Sequence, residues 1–172
     1  MQVKVSNNGA GHKLPTGFPE GREMWIDFRV VDASGREIYR LGAVRDGKTE
    51  PGTENFKVHL GDKDGKVLDI EVWNAAKILS DNRVLPKGYD IRQFSFLVPQ
   101  DAVGPLALTA ELNYWPFSQK LVDFLLGPDT LKVEITRMAG ATRQIGLERF
   151  PTRVSGGMQI RVAPEAGAKV SL

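Results

Sequence analysis

The chain of 172 residues carries two histidines, and one of them, His12, sits in the stretch NNGAGHKLPTGFPEGREMW just ahead of an apolar run. Gly9 and Gly11 let a backbone take positive φ or approach another surface, and Leu14-Pro15-Thr16-Gly17 stiffens the exit from the loop. Such a loop could hold an imidazole in a fixed direction. With no second histidine or cysteine nearby, one imidazole cannot make an ordinary protein metal site. It can complete the coordination of a haem iron already held from the other side. A histidine that merely orders a turn by bonding to backbone is the competing reading.

Other residue types invite the same question. His59 falls on the polar side of the Phe56/Val58/Leu60 alternation, where it faces solvent or a partner. Asp62, Asp64 and Gly65 form a D-x-D-G turn like the start of a calcium loop, with Asp69 and Glu71 as further oxygen donors, yet the later acidic ligand of an EF-hand is missing at the right offset. A plain charged turn is the alternative. Trp25, Trp73 and Trp115 could form a flat aromatic platform for sugars; Trp25 could face outward, whereas Trp115 beside Pro116 reads as a packing anchor with its N–H satisfied. Glu20 and Glu23 near Asp27 offer carboxylates, but nothing in their spacing gathers them in a dry pocket. There is no Gly-x-Ser-x-Gly, Ser155-Gly156-Gly157 lacks a strand-to-helix setting, and no phosphate-binding loop follows a strand. The chain is not expected to be an enzyme.

Zero cysteines exclude disulfides, thiolate metal sites and C-x-x-C-H haem attachment within these residues. A formal net charge of +2, from 23 basic and 21 acidic residues, lacks the one-sided field of a nucleic-acid binder. No apolar run approaches the roughly 20 residues that span a bilayer. MQVKVSNNG has no signal-peptide pattern, and because Met1 leads straight into an alternating pattern, a leader or further domains could lie upstream. The 41% apolar content suffices for one packed core.

The elements that must position these residues are mostly strands. In MWIDFRVV, Met24, Ile26, Phe28 and Val30 share one face while Asp27 and Arg29 take the other. Asp32-Ala33-Ser34-Gly35 turns the chain into the returning arm REIYRLG. Period-2 alternation recurs at Phe56–Leu60, Phe94–Val98, Leu106–Tyr114, Leu131–Ile135 and Met158–Val162. About eight or nine short strands with no helices between them predict an all-β, Ig-like antiparallel sandwich. One short helix is expected over about 116–126, since Phe117, Leu121, Phe124 and Leu125 share a face and Gly127-Pro128 ends it. A weaker helical turn is expected over Asn74–Leu79. Residues 1–138 form the sandwich, and residues 139–172 read as an irregular extension with one strand and a frayed end, packed on the same domain.

The histidine stretch also carries a resemblance. Asn7, Gly9, Ala10, Gly11, His12, Pro15, Thr16 and Gly17, followed by an apolar strand and Asp32-Ala33-Ser34-Gly35, resemble the haem-free β-sandwich module found toward the C-terminal end of some secreted bacterial multihaem c-type cytochromes. His59-Leu60-Gly61-Asp62-Lys63-Asp64-Gly65 and Asp81-Asn82-Arg83-Val84-Leu85-Pro86-Lys87-Gly88 are similar to later signatures of that module, so the likeness spans about residues 3–137. It implies a non-enzymatic domain outside the cytoplasm, in the periplasm or at the cell surface. The domain would dock beside a haem-bearing cytochrome segment or redox protein and support electron transfer. Haem c would sit on neighbouring sequence and none within this chain. On that reading His12 is an axial ligand candidate and Gly9, Gly11, Pro15 and Gly17 frame its loop; by charge type and loop position, Arg22 and Arg83 are candidate partners for haem propionates or other carboxylates. The alternative is a free-standing carbohydrate- or protein-binding sandwich, with Ca²⁺ at Asp62 and Asp64.

Overall fold

A computed structural model describes residues 1–18, 20–68, 70–148 and 169–171. In chain order the elements are β1 (Gln2–Ser6), β2 (Glu23–Val31), β3 (Glu37–Leu41), β4 (Val44–Arg45), β5 (Lys48–Thr49), β6 (Asn55–Phe56), β7 (Val58–Gly61) and β8 (Val67–Leu68). A 3₁₀ turn at Val72–Asn74 precedes β9 (Lys77–Asp81), β10 (Tyr89–Gln93), β11 (Leu106–Trp115), α1 (Gln119–Leu126), β12 (Thr136–Ile145) and β13 (Lys169–Ser171).

The molecule is the all-β sandwich that the alternation predicts. One layer runs β12-β11-β2-β3, with β6 also paired to β2, and the other runs β10-β1-β13. Met24, Ile26, Phe28 and Val30 point inward from β2, and Leu106, Leu108, Ala110 and Leu112 from β11, onto Val3 and Val5 of β1. Phe28 stacks on Phe94 with ring centroids 4.4 Å apart. The described pairs are antiparallel except β1 with β13, which run parallel at Val5 opposite Val170. A smaller sheet, β8-β7-β9, lies beyond β6.

The outer face of β2 is buried too, at one end. Trp25 is fully enclosed, its ring centroid 5.0 Å from that of Trp115, and its Nε1 donates to the Gly42 carbonyl at 3.0 Å. Trp25 does lie on the face opposite Met24 and Ile26, as its alternation allows, but it is covered there and offers no platform to a sugar. The Trp115 Nε1 is buried with no acceptor among the described residues, so only the packing half of that expectation stands. The helix starts at Ser118, whose hydroxyl accepts the Leu121 N–H, and it buries Leu121 and Val122. Its first residue, Gln119, lies against the β4–β5 turn at Gly47.

Several local expectations are corrected. Leu131–Ile135 lies outside any sheet, and Gln119 holds it instead: Nε2 donates to the Leu131 carbonyl at 2.7 Å and Oε1 accepts the Val133 N–H at 2.9 Å. Phe94, Phe96 and Val98 do turn toward the core, yet the ladder stops at Gln93. Asn74–Leu79 is the end of a 3₁₀ turn running into β9 rather than a helical turn. The boundary drawn at residue 138 falls inside β12, a ten-residue strand paired with β11 from Tyr114/Thr136 to Leu106/Ile145. The strand expected at Met158–Val162, together with Ser155-Gly156-Gly157 and Asp69, lies outside the described residues.

At the far end of β2, Asp32 ties the hairpin to the loop before β11. The Ser34 hydroxyl above all, helped by the Arg36, Val103 and Ser34 amides, holds the Asp32 carboxyl down to about 2.

Candidate functional site

The loop between β1 and β2 leaves the sandwich at Asn7, and Asn7 shapes it. This side chain is almost wholly buried. Its Nδ2 donates to the His12 carbonyl at 2.8 Å, its Oδ1 accepts the Ala10 N–H at 3.1 Å, and its own N–H donates to Gly88 at 2.8 Å. Residues 8–12 therefore form a loop pulled in at its base by one amide side chain, an Asx-type brace. Asn7 is a residue that the spacing argument passed over; its position just before a glycine-rich loop was the available signal.

His12 is exposed at the far side of this loop. Its Nδ1 lies 3.1 Å from the Lys13 carbonyl, and a carbonyl can only accept. The hydrogen bond therefore places the proton on Nδ1 and leaves the Nε2 lone pair for another partner, the arrangement in which imidazole binds a metal.

Two further braces hold the loop's exit. Leu14 and Val84 exchange backbone hydrogen bonds at 2.9 Å in both directions. Lys13 Nζ reaches Asp81 at 2.8 Å, and Arg83 grips the same carboxylate through Nε and Nη2, each at 2.8 Å. Arg83 first and then Lys13 hold the Asp81 carboxyl well below the usual carboxylate range. A lowered folded value means that this stabilisation is complete above about pH 4 and fades as the pH falls further. Asp81→Asn is expected to cost about 1–2 kcal/mol at pH 7 and to flatten the acid limb of the stability curve, measured by urea unfolding between pH 3 and 7.

The expected site residues divide on inspection. Pro15, joined to Leu14 by a cis peptide, and Gly17, at φ +82°, form the loop's exit. Arg22 folds back over Gly17, and its Nη1 donates to the Thr16 carbonyl. Its Nε is buried without a partner among the described residues, beside a cavity of about 120 Å³ lined by Leu14, Pro15, Tyr114 and Met138. Arg22 and Arg83 thus serve as struts of the histidine loop. Gly9 and Gly11 have no positive φ, and an added Cβ at either would meet nothing of this chain within 4 Å, so of the two roles expected of them only the approach of another surface stands open.

The remaining candidates lie apart from this loop. His59 on β7 is half-buried, opposite Ser80 of β9; burial first and Lys57 second lower its pKa. Asp62 Oδ1 accepts the Asp64 N–H at 2.9 Å and the Lys66 N–H at 2.8 Å, which makes it a turn-former. The open groove beside it is lined by Lys63 and Lys66 as well as Asp62 and Glu71. Among the described residues no group of three or more His, Cys, Asp or Glu could hold a metal ion. Glu23 pairs with Lys57 and Asp27 with Arg40, so these two carboxylates are tied into ion pairs. Trp73 is 64% exposed and stacks on Phe124, centroids 6.3 Å apart.

No family model matches the chain, and no curated protein matches it at significance. Among solved structures, the fold is shared by a penta-heme cytochrome c552 from Thermochromatium tepidum, with a TM-score of 0.65 and 24% sequence identity over 84% of this chain. The match covers 35% of that cytochrome, so this chain corresponds to about a third of its length. At that identity the likeness defines the class of fold. The neighbour is a multihaem cytochrome, the class that the histidine-loop resemblance names. No helix among the described residues is long and apolar enough to cross a membrane.

Proposed function

We propose that this chain is a haem-free β-sandwich module of an extracytoplasmic multihaem cytochrome, that it docks beside haem-bearing segments, and that it offers His12 as an axial ligand to one of their irons. The single observation that carries the reading is the His12 imidazole, exposed on a braced loop with Nδ1 directed at the Lys13 carbonyl. The residues present fit the role. Nε2 is the nitrogen left for the iron, and among the described residues no cluster of His, Cys, Asp or Glu competes for it. Asn7, Lys13 with Asp81, and Arg22 on Thr16 hold the loop so that little freedom is lost on ligation. Bound haem would supply one-electron transfer. The Lys13 carbonyl would fix the tautomer and direction of the ring toward the iron, and the sandwich would limit water access. The module performs no catalytic step of its own on this reading. Its place is the periplasm or the cell surface.

The test is spectroscopic. When the module is produced together with the haem-bearing segment, the wild type is expected to give a six-coordinate low-spin spectrum. His12→Ala converts one haem to the high-spin form, and His59→Ala converts none. An unchanged low-spin spectrum in His12→Ala would remove the ligand role.

A second reading, a free-standing carbohydrate- or protein-binding module, draws on the exposed Trp73–Phe124 stack, since flat rings at a surface suit sugar faces. Polysaccharide retention that disappears in Trp73→Ala, with no haem partner found, would favour it.

A further inference from the structure

Asn8 and Gly9 are the chain's one Asn-Gly pair. Both are exposed, and an added Cβ at Gly9 would have nothing within 4 Å. Among the described residues nothing accepts a hydrogen bond from the Gly9 N–H, and the Asn8 side-chain amide has no partner. The neighbouring asparagine is the opposite case. Asn7 is buried, and both ends of its amide are bonded. In the aspartyl counterpart Asp64-Gly65, the Gly65 N–H donates to the Asp62 carbonyl at 3.1 Å.

From this contrast we propose that Asn8-Gly9 is a self-modifying site that deamidates in the folded protein through a cyclic imide and resets the geometry of the histidine loop. The Gly9 backbone nitrogen attacks Asn8 Cγ. The new N–Cγ bond forms as the Cγ–Nδ2 bond breaks, and Nδ2 leaves as ammonia with the Gly9 amide proton. Water then opens the five-membered imide. Cleavage at the side-chain carbonyl restores the main chain with aspartate at position 8, and cleavage at the main-chain carbonyl gives isoaspartate. No oxidant, reductant or enzyme is needed.

The isoaspartate product routes the main chain through the side-chain carbon and lengthens it by one atom. That atom enters the span that Asn7 bridges, between its own backbone and the Ala10 N–H and His12 carbonyl. The brace at the loop base cannot close over a longer chain without moving Ala10 or His12. Both products also add a carboxylate four residues before the imidazole. The chemistry stands on this chain alone; the consequence for haem ligation rests on the function proposed above.

The test uses the folded chain held at mildly alkaline pH and then digested with trypsin. The peptide Val5–Lys13 is expected to give two new species, each about 1 Da heavier, as an amide becomes an acid. Fragmentation should place the change at Asn8. Gly9→Ala, which the open space at Gly9 accommodates, should slow it several-fold, and Asn8→Gln should abolish it. Amide exchange at Ala10 should speed up in the isoaspartate fraction. A heavier peptide with the change at Asn7, no heavier peptide at all, or an unaltered rate in Gly9→Ala overturns the site. Unchanged Ala10 protection in the isoaspartate fraction overturns the effect on the loop. None of these readouts depends on haem, so a negative result here and a negative haem spectrum are separate outcomes.

Discussion

Trp25→Ala is expected to lose about 3–5 kcal/mol of unfolding free energy, seen as a fall in the urea midpoint with little change in slope. The side chain has no exposed surface and packs against Trp115 across a 5.0 Å centroid separation. Its removal opens a cavity that the β2 and β11 backbones cannot close, because both are fixed by their ladder. The Gly42 carbonyl also loses the indole N–H that it accepts at 3.0 Å. Trp73→Ala is the matched control. Its ring is 64% exposed and leans on Phe124 alone among aromatic rings, so the change should stay within about 0.5 kcal/mol. Equal losses at the two positions would mean that Trp25 does not close a second core.

The central strands were legible because burial on one face imposes a period of two on the side chains. β2 shows it apart from the buried Trp25, and β11 shows it from Leu106 to Leu112, up to the bulge at Leu112/Asn113. The same period misleads where it reports burial without pairing, as at Phe94–Val98. It misleads again where a polar side chain holds the segment, as Gln119 holds Leu131–Ile135. β9 escaped notice for the converse reason. All five of its residues are exposed, so neither face imposes a burial pattern, and what holds it is the ladder with β7, where the Leu79 side chain lies over Gly61. β12 was hidden by Thr-Arg-Met-Ala-Gly-Ala, an edge strand whose inward residues are as small as Ala139. At the site, the exposure of His12 and the stiff Pro15–Gly17 exit followed from local residue types. The braces did not, since Lys13 and Asp81 are 68 residues apart and only the fold brings them together. Trp25 was read from its own strand, which cannot reveal what covers the outer face.

The backbone position behind that second core gives the other large effect. Gly42 adopts φ +109°, and a Cβ there would lie 2.2 Å from the Ile26 carbonyl oxygen and 2.6 Å from Asp27 Cα. Both obstacles are main chain of the central strand, so no side chain can swing aside. Gly42→Ala is therefore expected to cost at least about 3 kcal/mol, from left-handed strain plus displacement of the carbonyl that receives Trp25 and of the N–H donated to Glu50 at 2.8 Å. Gly35→Ala separates the two causes. Gly35 has φ +86° in the β2–β3 turn but open space around it, so strain acts alone and the loss should be about 1 kcal/mol. Thermal unfolding of the two variants side by side measures the difference. If Gly42→Ala melts no lower than Gly35→Ala, the close approach of residue 42 to β2 does not hold the hairpin, and the Trp25 N–H must find its acceptor elsewhere.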